Sequence, residues 1–172
     1  MTAGEPGLAS GHAAPDDPAG FGAWVRPHLR SVSNLVARVA PYVDRDDVVQ
    51  DVLARAWVKR RQFDARRGTP AAWLLAIAAD QAGKARRRAR PVSSLGDERI
   101  TAPGADAAAG RVDVERALHQ LTRRQRLAVE CVYFVGLTVA ETAAVMGCAE
   151  GTVKSTLADA RARLRTLLEV AE

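Results

Sequence analysis

The sequence predicts an all-α protein built from two small helical domains joined by a flexible linker, the C-terminal one a helix-turn-helix. Three observations carry that expectation. Hydrophobic residues make up 48% of the 172-residue chain but aromatics only 5%, and the apolar positions recur at helical spacing with no competing alternation. A stretch poor in periodicity, "PVSSLGDERITAPGADAAAG" at 91–110, divides the chain, its Pro91 and Pro103 arguing against a helix. Residues 138–165 then read as helix, tight glycine-containing turn, helix.

Taken in order, residues 1–20 are rich in Gly, Ala and Pro without periodicity and are expected to be a disordered tail. The first domain, 21–90, opens with a helix expected over 21–40, striped by Trp24, Leu29, Val32, Leu35, Val36 and Val39 and ended by Pro41. Asp44 caps a second helix carrying Val48, Val49, Val52, Leu53, Ala56 and Trp57, with Asp46, Asp47, Gln50 and Asp51 clustered towards its start. A third begins with Thr69 as N-cap and Pro70 at its first position and runs through Trp73, Leu74 and Ile77 into the basic run "KARRRAR" at 84–90. Trp57 and Trp73 are expected chiefly in the core.

In the second domain, 111–172, Thr122 with Gln125 and Thr138 with Glu141 match the capping-box spacing and predict helices over 122–135 and 138–146. Gly147 supplies the turn into the last helix. There Val153, Leu157, Ala160, Leu164 and Leu167 form the inner stripe, and the outer face is bare at Ser155, Ala158 and Ala162 with Lys154, Arg161, Thr152 and Arg163 at its edges. An ordinary solvated face is filled with long charged side chains. This one is shaped to enter a DNA major groove.

Charge distribution supports a polyanion partner. The basic excess lies in residues 22–90, with 15 basic against 6 acidic residues, whereas 111–172 holds 9 against 8. Cys131 and Cys148 lack paired metal spacing and the three histidines stand apart, so no metal site, no cofactor and reduced core cysteines are expected. With no charged start leading into an apolar run and no long apolar stretch, neither a signal peptide nor membrane insertion is expected, and the location should be cytoplasmic. No cluster of nucleophile, base and metal ligand suggests an enzyme.

Four segments, "DRDDVVQDVLARAW" (44–57), "FDARRGTPAAWLLAIAADQA" (63–82), "LTRRQRLAVECVYFVGLTVAETAAVMG" (121–147) and "GTVKSTLADARARL" (151–164), resemble the extracytoplasmic-function group of bacterial RNA polymerase sigma factors. A helix-turn-helix alone is shared by many regulators; the order of these segments is far more specific. The resemblance implies a first domain that docks on core RNA polymerase and opens promoter DNA near the −10 element, a second that reads the −35 element, no enzymatic activity, and an anti-sigma partner. The rival class is a helix-turn-helix transcriptional regulator that is not a polymerase subunit, which leaves the acidic and basic helices unexplained as a set.

Residue by residue, Asp46, Asp47, Gln50 and Asp51 are either helix-dipole compensation or a polymerase-docking face, and the resemblance favours docking. Arg86, Arg87, Arg88 and Arg90, with Lys84, Arg66 and Arg67, are expected on −10 phosphates, a solvated charge run being the alternative. Phe63 and Asp80 correspond to the family's pocket for a flipped base, where Phe63 either stacks on the base or simply packs under its loop. The family commonly has Asn where Asp80 stands; a carboxylate only accepts hydrogen bonds, so a base offering an exocyclic amino group is expected there. Glu150, Thr152, Lys154, Ser155 and Arg161 are expected to face the −35 DNA, with Arg123, Arg124 and Arg126 either adding backbone contacts or being solvated. Thr156, where the family often has Arg, implies one phosphate contact fewer.

Overall fold

A computed structural model describes residues 13–89 and 109–169, helical throughout with no strand among the described residues. Arg90, most of the tail and most of the linker lie outside them. Helix α1 (Pro18–Val25) begins inside the expected tail, because Asp17 accepts a hydrogen bond from the Gly20 amide at 2.7 Å and Pro18 takes the first helical position. The single helix expected over 21–40 is two. Pro27 has no N–H to donate, and the chain tightens into a 3₁₀ turn over Arg26–His28 before α2 (Leu29–Val39) resumes.

Asp44 caps α3 (Arg45–Lys59), accepting from the amides of Asp46 and Asp47 at 2.9 and 3.1 Å. Thr69 caps α4 (Pro70–Arg88), its hydroxyl accepting from the Ala72 amide at 3.2 Å. Val32, Leu35 and Val36 of α2 and Val48, Val52 and Ala56 of α3 meet Leu74, Leu75 and Ala78 of α4 in an apolar core. Leu75 has no exposed surface. Leu75→Ala should therefore destabilise the chain by about 2–5 kcal/mol through lost burial and a residual cavity, read as a lowered urea midpoint.

The second half adds α5 (Ala109–His119), whose start falls in the expected linker, then α6 (Arg123–Val129), α7 (Val139–Met146) and α8 (Glu150–Glu169). Both capping boxes form as their spacing predicts. The helix expected over 122–135 does not stay α-helical: it widens into a π turn over Glu130–Val135 that turns both Glu130 and Cys131 inward and ends at Gly136 in the left-handed region. Gly147, also left-handed at φ 62°, closes α7, and the Cys148 amide donates to the Ala143 carbonyl at 3.1 Å. Ala128, Val129, Ala143, Val153, Leu157 and Ala160 form the core of this unit.

The two halves are in contact. Helix α7 packs along α4, and Cys131, Leu137 and Val145 join the core of the first half rather than that of the second. This is why α4 is buried over so wide an arc, from Ala72 through Ala79 to Ala82 and Gly83.

Candidate nucleic-acid interface

Helix geometry separates the charged residues into distinct surfaces. On α3, Val48, Val52 and Ala56 turn inward, so Asp46, Asp47, Gln50 and Asp51 are left exposed, with Arg45 Nε on Asp46 at 3.3 Å. Val58 is 68% exposed and in line with Asp47 and Asp51. Sequence reading passed over it; its signal is an apolar residue out of phase with the buried stripe.

The C-terminal turn of α4 presents Arg87 and Arg88 to solvent with Arg86 half-buried beside them. Lys84 Nζ pairs with Asp80 at 2.6 Å, and Gln81 donates to the same carboxylate at 3.2 Å. Arg123 of α6 lies against Gly83, where a Cβ would collide with its guanidinium. Burial, followed by repulsion from Arg86 and Arg87, lowers the Arg123 pKa. Positive charge from both halves thus converges on one end of α4.

Beside it is a cleft of about 420 Å³ whose walls include Lys59, Phe63, Arg67, Trp73, Asp80 and Ala144. Phe63 and Asp80 both line this cleft. The Phe63 ring, however, is only 6% exposed and is held edge-on by Trp24 and Trp73, with centroids 5.1 and 5.6 Å away. Trp73, half-buried on the same wall, gives the cleft a more open aromatic surface. Arg66 is drawn away by a two-pronged pair with Asp64 at 3.1 and 3.0 Å, which also lowers the Asp64 pKa; Arg67 stays exposed.

On α8, Glu150, Lys154, Ser155, Ala158, Arg161 and Ala162 are exposed and Thr152 is half-buried. Ser155 Oγ donates to the Thr152 carbonyl at 3.0 Å and Arg161 Nε to the Leu157 carbonyl at 3.3 Å. Thr156 is buried, its hydroxyl donating to the Thr152 carbonyl at 2.7 Å. It belongs to the inner face, so the expected shortfall of one phosphate contact there has no geometric basis.

Arg126 also departs from expectation. Only 5% exposed, it meets His119 Nδ1 at 3.0 Å and faces inward, leaving Arg124 as the exposed arginine of α6. Near it Glu130, 1% exposed, pairs with Arg38 at 3.4 Å across the two halves, and burial raises its pKa. Glu141 lies on the opposite trend: the Thr138 amide, then the Thr69 hydroxyl at 2.7 Å, hold its carboxyl below the usual range. A depressed carboxyl pKa stabilises the fold above its unfolded value of 4.5, and the contribution is lost as pH falls through the folded value. Urea unfolding of Glu141→Gln should accordingly show a flatter acid limb than the parent below that pH.

Among the described residues no helix is long and apolar enough to cross a membrane, and no group of three His, Cys, Asp or Glu is placed to hold a metal.

Family comparison accounts for both halves at once. Residues 24–92 match the Sigma-70 region 2 family and residues 111–164 the Sigma-70, region 4 family. The ECF RNA polymerase sigma factor SigM of Mycobacterium tuberculosis is 35% identical over 167 residues, covering 94% of this chain and 83% of the relative. The chain belongs to the extracytoplasmic-function sigma factors of RNA polymerase. SigK of Mycobacterium ulcerans is 34% identical, with 80% of each chain covered.

Among solved structures, this sigma factor is similar to RpoE in complex with the anti-sigma factor NepR from Bartonella quintana, with TM-score 0.66, 28% identity and coverage of 88% of this chain and 98% of that one. It is also similar to CnrH in complex with the cytosolic domain of CnrY, with TM-score 0.68, 25% identity and coverage of 91% and 92%. This sigma factor acts in transcription initiation. Region 2 spans the acidic face of α3 and the basic, cleft-bearing α4; region 4 ends in α8 with its bare outer face.

Proposed function

We propose that this sigma factor docks on core RNA polymerase through Asp46, Asp47, Gln50 and Asp51, extended by Val58, and opens promoter DNA on α4. Lys84, Arg86, Arg87, Arg88 and Arg90, with Arg67, hold phosphates of the −10 element, while the cleft between Phe63, Trp73 and Asp80 takes an unstacked base. Helix α8 enters the −35 major groove: Glu150 and Ser155 read base edges, and Lys154 and Arg161 hold the backbone. It works by binding, in the cytoplasm, and an anti-sigma partner holds it in reserve; the similar RpoE was solved in complex with the anti-sigma factor NepR.

The observation that supports this reading best is the segregation of chemistry. The acidic face, the arginine-lined aromatic cleft and the bare groove-shaped helix occupy three separate surfaces of one chain. A polymerase-independent regulator has use for only the last.

Single-round transcription with purified core polymerase on pooled promoter fragments tests it. New start sites sharing −10 and −35 elements are the expected result. DNA binding without initiation, together with a negative polymerase pull-down, would instead identify a stand-alone regulator. Within the same assay, Asp80→Asn should alter the base preferred at one −10 position, because an amide also donates while the carboxylate only accepts and is engaged by Lys84. A base scan identical for the two proteins would refute that role.

A further inference from the structure

The segment ahead of α1 meets the end of α3 at a pair of arginines that the promoter contacts leave unused. Ala14 is buried, and Asp16 is held against the short 3₁₀ turn Arg60–Gln62 that follows α3. One carboxylate oxygen of Asp16, Oδ1, lies 3.1 Å from Arg60 Nε and 3.1 Å from Arg61 Nε. The hydrogen bond from Arg61, followed by the charges of the two arginines, lowers the Asp16 pKa.

Charge compensation alone does not explain this arrangement. Arg60 is fixed in place: its guanidinium lies over the Trp57 ring, 3.8 Å from the centroid, and Nη1 donates to the Trp57 carbonyl at 2.8 Å. Only 17% of its side chain is exposed. Yet Asp16 fills the site badly. It accepts an aligned hydrogen bond from Arg61, whereas Arg60 Nε, buried and equally close, is off line and has no hydrogen-bond partner among the described residues. A phosphodiester, with two charged oxygens set at a tetrahedral angle, can serve two neighbouring guanidinium groups at once. Asp16 and Arg61 are both exposed, and exposed ion pairs are weak and screened by salt, so the carboxylate is readily exchanged.

The position of the pair identifies the ligand. The turn that carries Arg60 and Arg61 runs directly into Phe63, whose amide donates to the Arg60 carbonyl at 3.2 Å, and Lys59, Gln62 and Phe63 belong to the cleft wall. A strand that lodges a base in the cleft carries its flanking backbone past this turn. We infer that Arg60 and Arg61 form a binding site for a phosphodiester of the single strand beside the −10 cleft, and that Asp16 occupies this site in the free sigma factor as a stand-in for the phosphate. DNA takes the site by displacing the carboxylate, so Asp16 weakens the hold on any strand that cannot displace it. This rests on the reading of the cleft as the −10 site.

The experiment uses the full-length protein and a fluorescein-labelled single-stranded DNA oligonucleotide of random sequence, with binding followed by anisotropy over a series of salt concentrations. Asp16→Asn removes the stand-in, Arg61→Ala removes half of the site, and the double variant removes both. Arg60 is left intact because its truncation would uncover the Trp57 ring. Circular dichroism and tryptophan fluorescence check that the substitutions, both at exposed positions, leave the fold unchanged. The triple alanine variant of Arg86, Arg87 and Arg88 is measured alongside as a separate gauge of the −10 surface.

Asp16→Asn should bind the oligonucleotide several-fold more tightly than the parent, with a salt slope steeper by up to about 0.7, the share of one phosphate on a single strand. Arg61→Ala should bind more weakly, and in the double variant the gain from Asp16→Asn should vanish, because the site it releases is gone. A gain that persists without Arg61 would be a general effect of net charge and would overturn the site. If Asp16→Asn binds no more tightly than the parent while the triple alanine variant loses slope, the site is likewise overturned and the −10 reading stands. Binding that responds to neither change would overturn both.

Discussion

The double reversal Asp47→Arg/Asp51→Arg should abolish promoter-specific transcription while leaving the fold intact. Both carboxylates are exposed on one stripe of α3, and neither belongs to the buried set of Val48, Val52 and Ala56. Turning two attractive contacts into repulsive ones at a charged docking surface costs about 3 kcal/mol or more, a loss of at least about a hundredfold in polymerase affinity. The competing explanation, that these acids only balance the helix dipole, predicts something different. Asp47 in the first turn would then cost about 0.3–1 kcal/mol in stability, Asp51 almost nothing, and initiation would continue. Co-purification with core polymerase, thermal melts and single-round transcription, taken together, separate the two.

Removing the three guanidinium groups of Arg86, Arg87 and Arg88 by alanine substitution should produce the second large effect, on DNA and not on docking. Each phosphate held on a single strand contributes about 0.7 to the slope of log affinity against log salt, so the triple variant should lose about two units of slope. Its affinity at low salt should fall by orders of magnitude, while polymerase pull-down is unchanged. Stability should not suffer, because these side chains oppose one another and Arg123, whose pKa Arg86 and Arg87 depress. An unchanged salt slope would mean that the run is a solvated surface.

What the sequence by itself determined is the local chemistry of chain direction. Asp44, Thr69, Thr122 and Thr138 mark helix starts because a cap bonds to amides two or three residues away, so its meaning survives without knowledge of the fold. The same holds for the glycine turn before α8 and for the outer face of that helix, whose composition alone separates groove from core. The segment order that identifies the family was legible for the same reason, since it is written along the chain.

Only tertiary structure decided the rest. Pro27 gave notice of a break that the hydrophobic stripe over 21–40 concealed, because two helices in one layer can share a single apolar period. Arg126 read as a surface charge until its packing against His119 was known, while Val58 and Glu130 passed unnoticed, the one left exposed on α3 and the other turned inward by the π turn. Thr156 looked like a missing arginine until its hydroxyl was found turned onto the Thr152 carbonyl. The second buried side of α4 was the least legible feature of all. A helix wheel records which residues are apolar but not which partner covers them, and small residues such as Ala72, Ala79 and Gly83 fit an exposed face as readily as a close helix crossing. Burial is a property of pairs of surfaces, and here the partner surface lies some sixty residues away along the chain, on a helix whose own caps and core say nothing of where it will dock.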